Sequence, residues 1–160
     1  MRAHQPHGSA HGPPARLPDF ALADQFGRKV DRATYKGVPL IIVVGNREGA
    51  HGVALWTASL RAVIGDASAT QVLPIADLGG VPRIVRAMVS RLLPRDPAQW
   101  CALDWDGQIG APIRRTHGPL VAATFGANRA LRVWMALSRD IVESATLVTL
   151  VESAEAAEST

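Results

Sequence analysis

The sequence predicts an α/β protein, an open sheet with helices packed on its faces. Three observations carry that prediction. Residues 39–44 (PLIIVV) are an unbroken apolar run rich in β-branched side chains, the pattern of a strand buried on both faces. A polar, glycine-bearing loop follows, Gly45-Asn46-Arg47-Glu48-Gly49, and after it Val53, Leu55, Trp56, Leu60 and Ile64 fall at roughly helical spacing. With 160 residues, 48% of them hydrophobic and 19% charged, the chain forms one domain with enough apolar surface for a real core. Open α/β sheets place their chemistry at the carboxyl ends of their strands, so a site is expected at residues 46–52.

The remaining elements follow in chain order. Residues 1–17, rich in His, Pro, Gly and Ala, read as a disordered tail in which His4, His7 and His11 are solvated rather than metal ligands. The domain is expected over 18–151. Residues 19–24 alternate, 25–28 turn and 29–31 return, a small hairpin, and a connector holding Tyr35 leads to the central strand. The helix after it ends near Gly65-Asp66. Residues 71–76 (QVLPIA) read as a second strand, with a bulge or an early end at Pro74. Gly79-Gly80 breaks the chain, and Pro82 opens a helix whose apolar face is Ile84, Val85, Met88, Val89 and Leu92. Pro94 and Pro97 end it. Residues 99–103 read as a third strand running into the turn 104–107, and 109–118 as an irregular link with Arg114, Arg115 and His117. Residues 120–125 and 130–136 read as an antiparallel pair. Ser138 is placed as the cap of a last helix reaching about residue 151, with Ile141, Val142, Ala145, Leu147 (or Val148) and Val151 inward. Residues 152–160 read as a flexible acidic tail.

Composition excludes several classes. Cys101 is the sole cysteine, which rules out an internal disulfide and a CxxC pair and fits a reducing compartment. The first twenty residues lack the apolar core of a signal peptide, and no run approaches the ~18 apolar residues of a membrane span, so a soluble cytoplasmic protein is expected. A net charge of +3, with fifteen arginines against two lysines, permits an anionic partner without demanding one. Ser-His-Asp order, HExxH, Walker and dinucleotide glycine motifs are all absent, and neither a cofactor nor a metal is expected.

A hairpin, then βαβα, then a second hairpin and a last helix is the order of the thioredoxin fold in its redoxin form. Leu17-Pro18-Asp19-Phe20-Ala21-Leu22 followed by Asp24-Gln25-Phe26-Gly27-Arg28-Lys29-Val30 resembles the entry of peroxiredoxins of the alkyl hydroperoxide reductase and thiol-specific antioxidant type. Tyr35-Lys36-Gly37-Val38-Pro39-Leu40, Leu103-Asp104-Trp105-Asp106-Gly107 and Gly118-Pro119 extend the likeness over roughly residues 17–151. The resemblance implies a thioredoxin-like fold, a central mixed sheet flanked by helices with an N-terminal β-hairpin. It also implies where the family's reactive cysteine would lie, just past the first central strand, where a helix dipole and an arginine favour the thiolate. This chain has Asn46-Arg47-Glu48-Gly49-Ala50-His51-Gly52 there, so the family's peroxide chemistry does not carry over.

The candidate residues are therefore few. Arg47 and His51, at the amino end of the helix, suit an anion or a carboxylate, with Asn46 and Glu48 as polar neighbours. The plainer reading is a surface loop with nothing bound. Cys101, between Trp100 and Ala102, is expected inside an interior strand as an unreactive small hydrophobe, the alternative being a redox thiol. Asp104 and Asp106 form a turn rather than a cation site. Arg83, Arg86, Arg91, Arg95, Arg114 and Arg115 read as a solvated face, and the missing aromatic interleaving weighs against nucleic acid. Trp56 belongs to the core, while Trp105 and Trp134 are candidate interface anchors. The leading expectation is a non-catalytic binding or interaction module, taking a protein partner or small anion at the 46–52 loop, as a homodimer. The competing expectations are a thiol-dependent peroxidase or oxidoreductase using Cys101, and an anion- or nucleic-acid-binding protein using the arginine-rich helix.

Overall fold

The computed structural model describes residues 14–114 and 117–157. The His4, His7 and His11 tail and Arg115 lie outside the described residues. The chain builds one mixed sheet of seven strands in the order β2-β1-β5-β4-β3-β6-β7. At its centre runs β3 (Leu40–Gly45), every residue of which is buried, as the apolar run requires. It pairs in parallel with β4 (Gln71–Asp77) and antiparallel with β6 (Leu120–Phe125). β5 (Ala102–Asp104) continues the sheet beside β4, the hairpin of β1 (Ala21–Asp24) and β2 (Lys29–Asp31) closes that edge, and β7 (Leu131–Ala136) closes the other.

The alternation of β3 divides the core in two. Leu40, Ile42 and Val44 pack with Leu22, Val30, Ile75, Ile109, Ile113 and Phe125 on the face that carries the short helix α3 (Gly110–Arg114). Ile41 and Val43 pack on the opposite face with Val53, Trp56 and Leu60 of α1 (Ala50–Ile64) and with Leu147 and Leu150 of α4 (Ser144–Glu155). The hairpin turns through Gly27, whose φ of +79° suits glycine, and is tied by the Asp24 carboxylate. That group accepts the N–H groups of Phe26 and Arg28 at 2.9 Å and the Arg28 guanidinium at 2.7 Å. Burial works to raise its pKa, but these donors outweigh it and hold the carboxyl below its usual value.

Several expectations are corrected. The ordered domain reaches back beyond residue 18: Leu17 is buried, and residues 15–17 bond to the 129–131 segment. At the other end α4 runs to Glu155, with Ala154 buried and the Glu155 carboxylate accepting the hydroxyls of Ser68 and Thr70, so the acidic tail begins later than residue 152. β4 passes straight through Pro74 without a bulge. On its β5 side pairing begins only at Ile75, so at Pro74 the strand has one neighbour, the edge-like setting in which a missing N–H is tolerated. The link after residue 109 contains α3, because the buried Asp104 carboxylate gathers the N–H groups of Gln108, Ile109 and Gly110 at 2.8, 2.9 and 2.7 Å. This bears out the turn expected at Asp104 and Asp106.

Ser138 does not cap the last helix. The Trp56 indole N–H takes the Ser138 carbonyl at 2.7 Å and pins that segment to α1, so α4 starts at Ser144 and Ile141 stays exposed. The helix opened by Pro82 is a 3₁₀ turn, Arg83–Val85, followed by α2 (Arg86–Leu92), and its apolar stripe faces outward: Ile84, Met88 and Leu92 are all exposed. No helix among the described residues is long and apolar enough to cross a membrane.

Candidate functional site

The carboxyl end of β3 leads into the loop at which a site was expected. Asn46 organises it. Its N–H donates to the Pro119 carbonyl at 3.0 Å, and its side-chain oxygen accepts the N–H groups of Glu48 and Gly49 at 3.0 and 3.1 Å. Gly49 then sits against the Pro119 carbonyl, where a side chain would collide. α1 begins at Ala50, which places His51 in its first turn, at the amino end where it was expected. Arg47, Glu48 and His51 are exposed, and Glu48 lies 3.8 Å from the Arg139 guanidinium. The structure therefore brings Asn46, Arg47 and His51 together at one mouth and turns Glu48 toward Arg139.

That mouth opens into a cavity of about 540 Å³. One wall is α1, where Ala50, Ala54 and Ala58 are too short to fill the space. The floor is β4 at Pro74 and Ala76, and the third wall is the 93–101 segment, with Trp100 and Cys101. The Trp100 ring is also covered by the Arg61 guanidinium, 5.3 Å from its centroid. Lining the same cavity is Thr57, 4% exposed, whose hydroxyl has no hydrogen-bond partner among the described residues. A buried hydroxyl left unpaired costs stability.

Cys101 departs from expectation. It precedes β5 instead of lying in it, because its N–H donates to the Gln25 side chain at 2.8 Å and leaves the strand ladder. It is half-buried on the cavity wall. Burial, and secondarily the Asp24 charge, push its thiol up to about 11. The interior-strand placement expected for Cys101 is therefore corrected: it sits at the cavity wall one residue before β5.

Two of the candidate arginines are tied to acids rather than free on a solvated face. Arg114 donates from two nitrogens to Asp77 at 2.9 and 2.8 Å, and Arg86 lies over the Trp105 ring, 3.6 Å from Asp106. Trp134 is half-buried, its N–H bonded to the Ile113 carbonyl at 2.6 Å and its ring stacked on His117. Neither Thr57 nor Pro74 nor Trp100 is marked by the sequence as lining a site. The available signal was a threonine between Trp56 and Leu60 on the inward face of an otherwise apolar helix.

No family model matches the chain, and no curated protein matches its sequence. Solved structures do. The exposed lipoprotein thioredoxin Etrx1 from Streptococcus pneumoniae superposes with a TM-score of 0.62 at 18% identity, over 84% of this chain and 98% of that one. Yeast Sco1 does so with 0.59 at 15% identity, over 93% and 100%. A secreted disulfide oxidoreductase of Mycobacterium tuberculosis homologous to Escherichia coli DsbE gives 0.54 at 19%, over 82% and 96%. At these identities the likeness establishes architecture. The chain has the thioredoxin-like fold.

Proposed function

We propose that this chain is a redoxin-like, thioredoxin-fold binding protein without thiol catalysis, and that its ligand enters beside the 46–52 loop. One observation carries the reading: the end of the fold where the redoxin resemblance locates a reactive cysteine opens instead into a cavity flanked by Asn46, Arg47 and His51. The nucleophile that peroxide reduction or disulfide exchange requires is a thiolate, and the one thiol present is held largely protonated near neutral pH.

The competing reading, a thiol-dependent peroxidase or oxidoreductase, draws on the place of Cys101 on the cavity wall, within reach of a bound substrate. Turnover separates the two. Purified protein is supplied with dithiothreitol and either hydrogen peroxide or a disulfide substrate, with Cys101→Ser alongside. The binding reading expects identical background rates. A wild-type rate that disappears in Cys101→Ser overturns it.

A further inference from the structure

Residues 83–92, the 3₁₀ turn and α2, are apolar on two sides and buried outright on neither. The inward side is Val85, Arg86, Val89 and Leu93, all half-buried, and the Arg86 guanidinium over the Trp105 ring ties it to the domain. On the outward side Ile84, Met88 and Leu92 recur every four residues, one above the other, and are 91%, 57% and 78% exposed. Packing on the domain accounts for one apolar side of a surface helix. A second, left standing in water, marks a surface that something else covers.

We propose that this face docks reversibly on an anionic lipid surface. Charge selects an anionic occupant. Arg83 adjoins Ile84, Arg91 adjoins Leu92 and Arg95 follows three residues on; all three are exposed and enter no ion pair among the described residues. Residues 78–95 contain neither Asp nor Glu. The flanking acids are engaged, Asp96 by the Ala98 N–H and Asp106 by Arg86. Laid on the same face of a second copy, these arginines would meet arginines.

Area selects a bilayer over a protein. A stable protein interface takes about 20–30 residues from each side. This ridge presents three apolar side chains on one short segment, and Ile84, Met88 and Leu92 line no cavity described for the molecule. A narrow ridge needs no shaped counterpart when the surface it meets is fluid. A short basic helix with one apolar face lies in the headgroup boundary, its apolar residues toward the acyl chains and its arginines among the phosphates.

Co-sedimentation of the full chain with vesicles tests this, comparing phosphatidylcholine alone with an equal mixture of phosphatidylcholine and phosphatidylserine. Wild-type protein is expected to bind the mixed vesicles more tightly. Binding should weaken as salt rises from about 0.1 M to about 1 M and screening shortens from about 10 Å to about 3 Å. Met88→Glu and Leu92→Glu are each expected to lower partitioning about tenfold, the worth of one buried apolar side chain. Arg91→Ala and Arg95→Ala each lower it about fivefold, the worth of one basic residue near an anionic surface. Unchanged urea midpoints of the two glutamate variants locate the loss at the surface. Absence of binding in wild type, equal binding to both vesicle types, or binding that survives both glutamate substitutions overturns the proposal. So does a wild-type dimer in sedimentation velocity that Met88→Glu disperses, which gives the face to a second copy.

Discussion

Thr57 occupies a position that stability alone would assign to an apolar residue. Its neighbours on the inward face of α1, Val53, Trp56 and Leu60, are core, and its hydroxyl gains nothing from the protein. Thr57→Val is therefore expected to stabilise the ligand-free protein by about 1 kcal/mol, seen as a rise in Tm of about 3 °C. Gly49 lies at the opposite extreme. Gly49→Ala drives a methyl group into the Pro119 carbonyl, a backbone group that cannot swing aside, and is expected to cost about 2–3 kcal/mol in a denaturant titration. At this scale the sequence was informative where chemistry is local. Asn46 before a helix, and Arg47 and His51 at its amino end, are legible as text. Thr57, Pro74 and Trp100 come to line one cavity only through packing between segments 17 and 26 residues apart in sequence, and no local pattern records that.

Among the elements, the hairpin of β1 and β2 depends on one carboxylate. The folded-state pKa of Asp24 is depressed, so its contribution is present above the ordinary value of 3.8 and is lost as the pH falls through the lower, folded value. Asp24→Asn is expected to flatten the acid side of the stability profile, measured as urea midpoint against pH, while loosening the hairpin at neutral pH. Helix α2 behaves oppositely. Met88→Glu and Leu92→Glu are expected to shift stability by no more than about 0.5 kcal/mol, because both side chains already face solvent. An amphipathic pattern says which face of a helix is apolar, and it is silent on whether anything covers that face. The buried strands were easier to read. A continuous β-branched run such as 40–44 has few places to go but the middle of a sheet, and the alternation of 19–24 marks an edge hairpin. Pro74 misled because its rule concerns strands flanked on both sides, and β5 arrives only one residue later.

For the whole molecule, the order of elements was enough to reach the thioredoxin-like fold, since a hairpin, βαβα, hairpin and helix leave few ways to close one mixed sheet. The function was less accessible, because the most telling feature in the text was a substitution, a loop of Asn46, Arg47, Glu48 and His51 where the redoxin resemblance locates a cysteine. The folded chain converts that loop into the entrance of a cavity and sets its sole thiol on the cavity wall under conditions that oppose ionisation.

The central claim, a ligand cavity without a working nucleophile, is tested most directly by the pH profile of Cys101 alkylation in the native protein. Iodoacetamide labelling is followed by intact mass, with denatured protein as reference. Because the thiolate reacts and the native thiol ionises only near 11, the native rate is predicted to climb steadily through about pH 10 without a plateau. The denatured chain is predicted to level off above about 8.5, the unperturbed thiol value. A native profile that levels off at or below that reference would contradict the account and return Cys101 to the role of an active redox thiol.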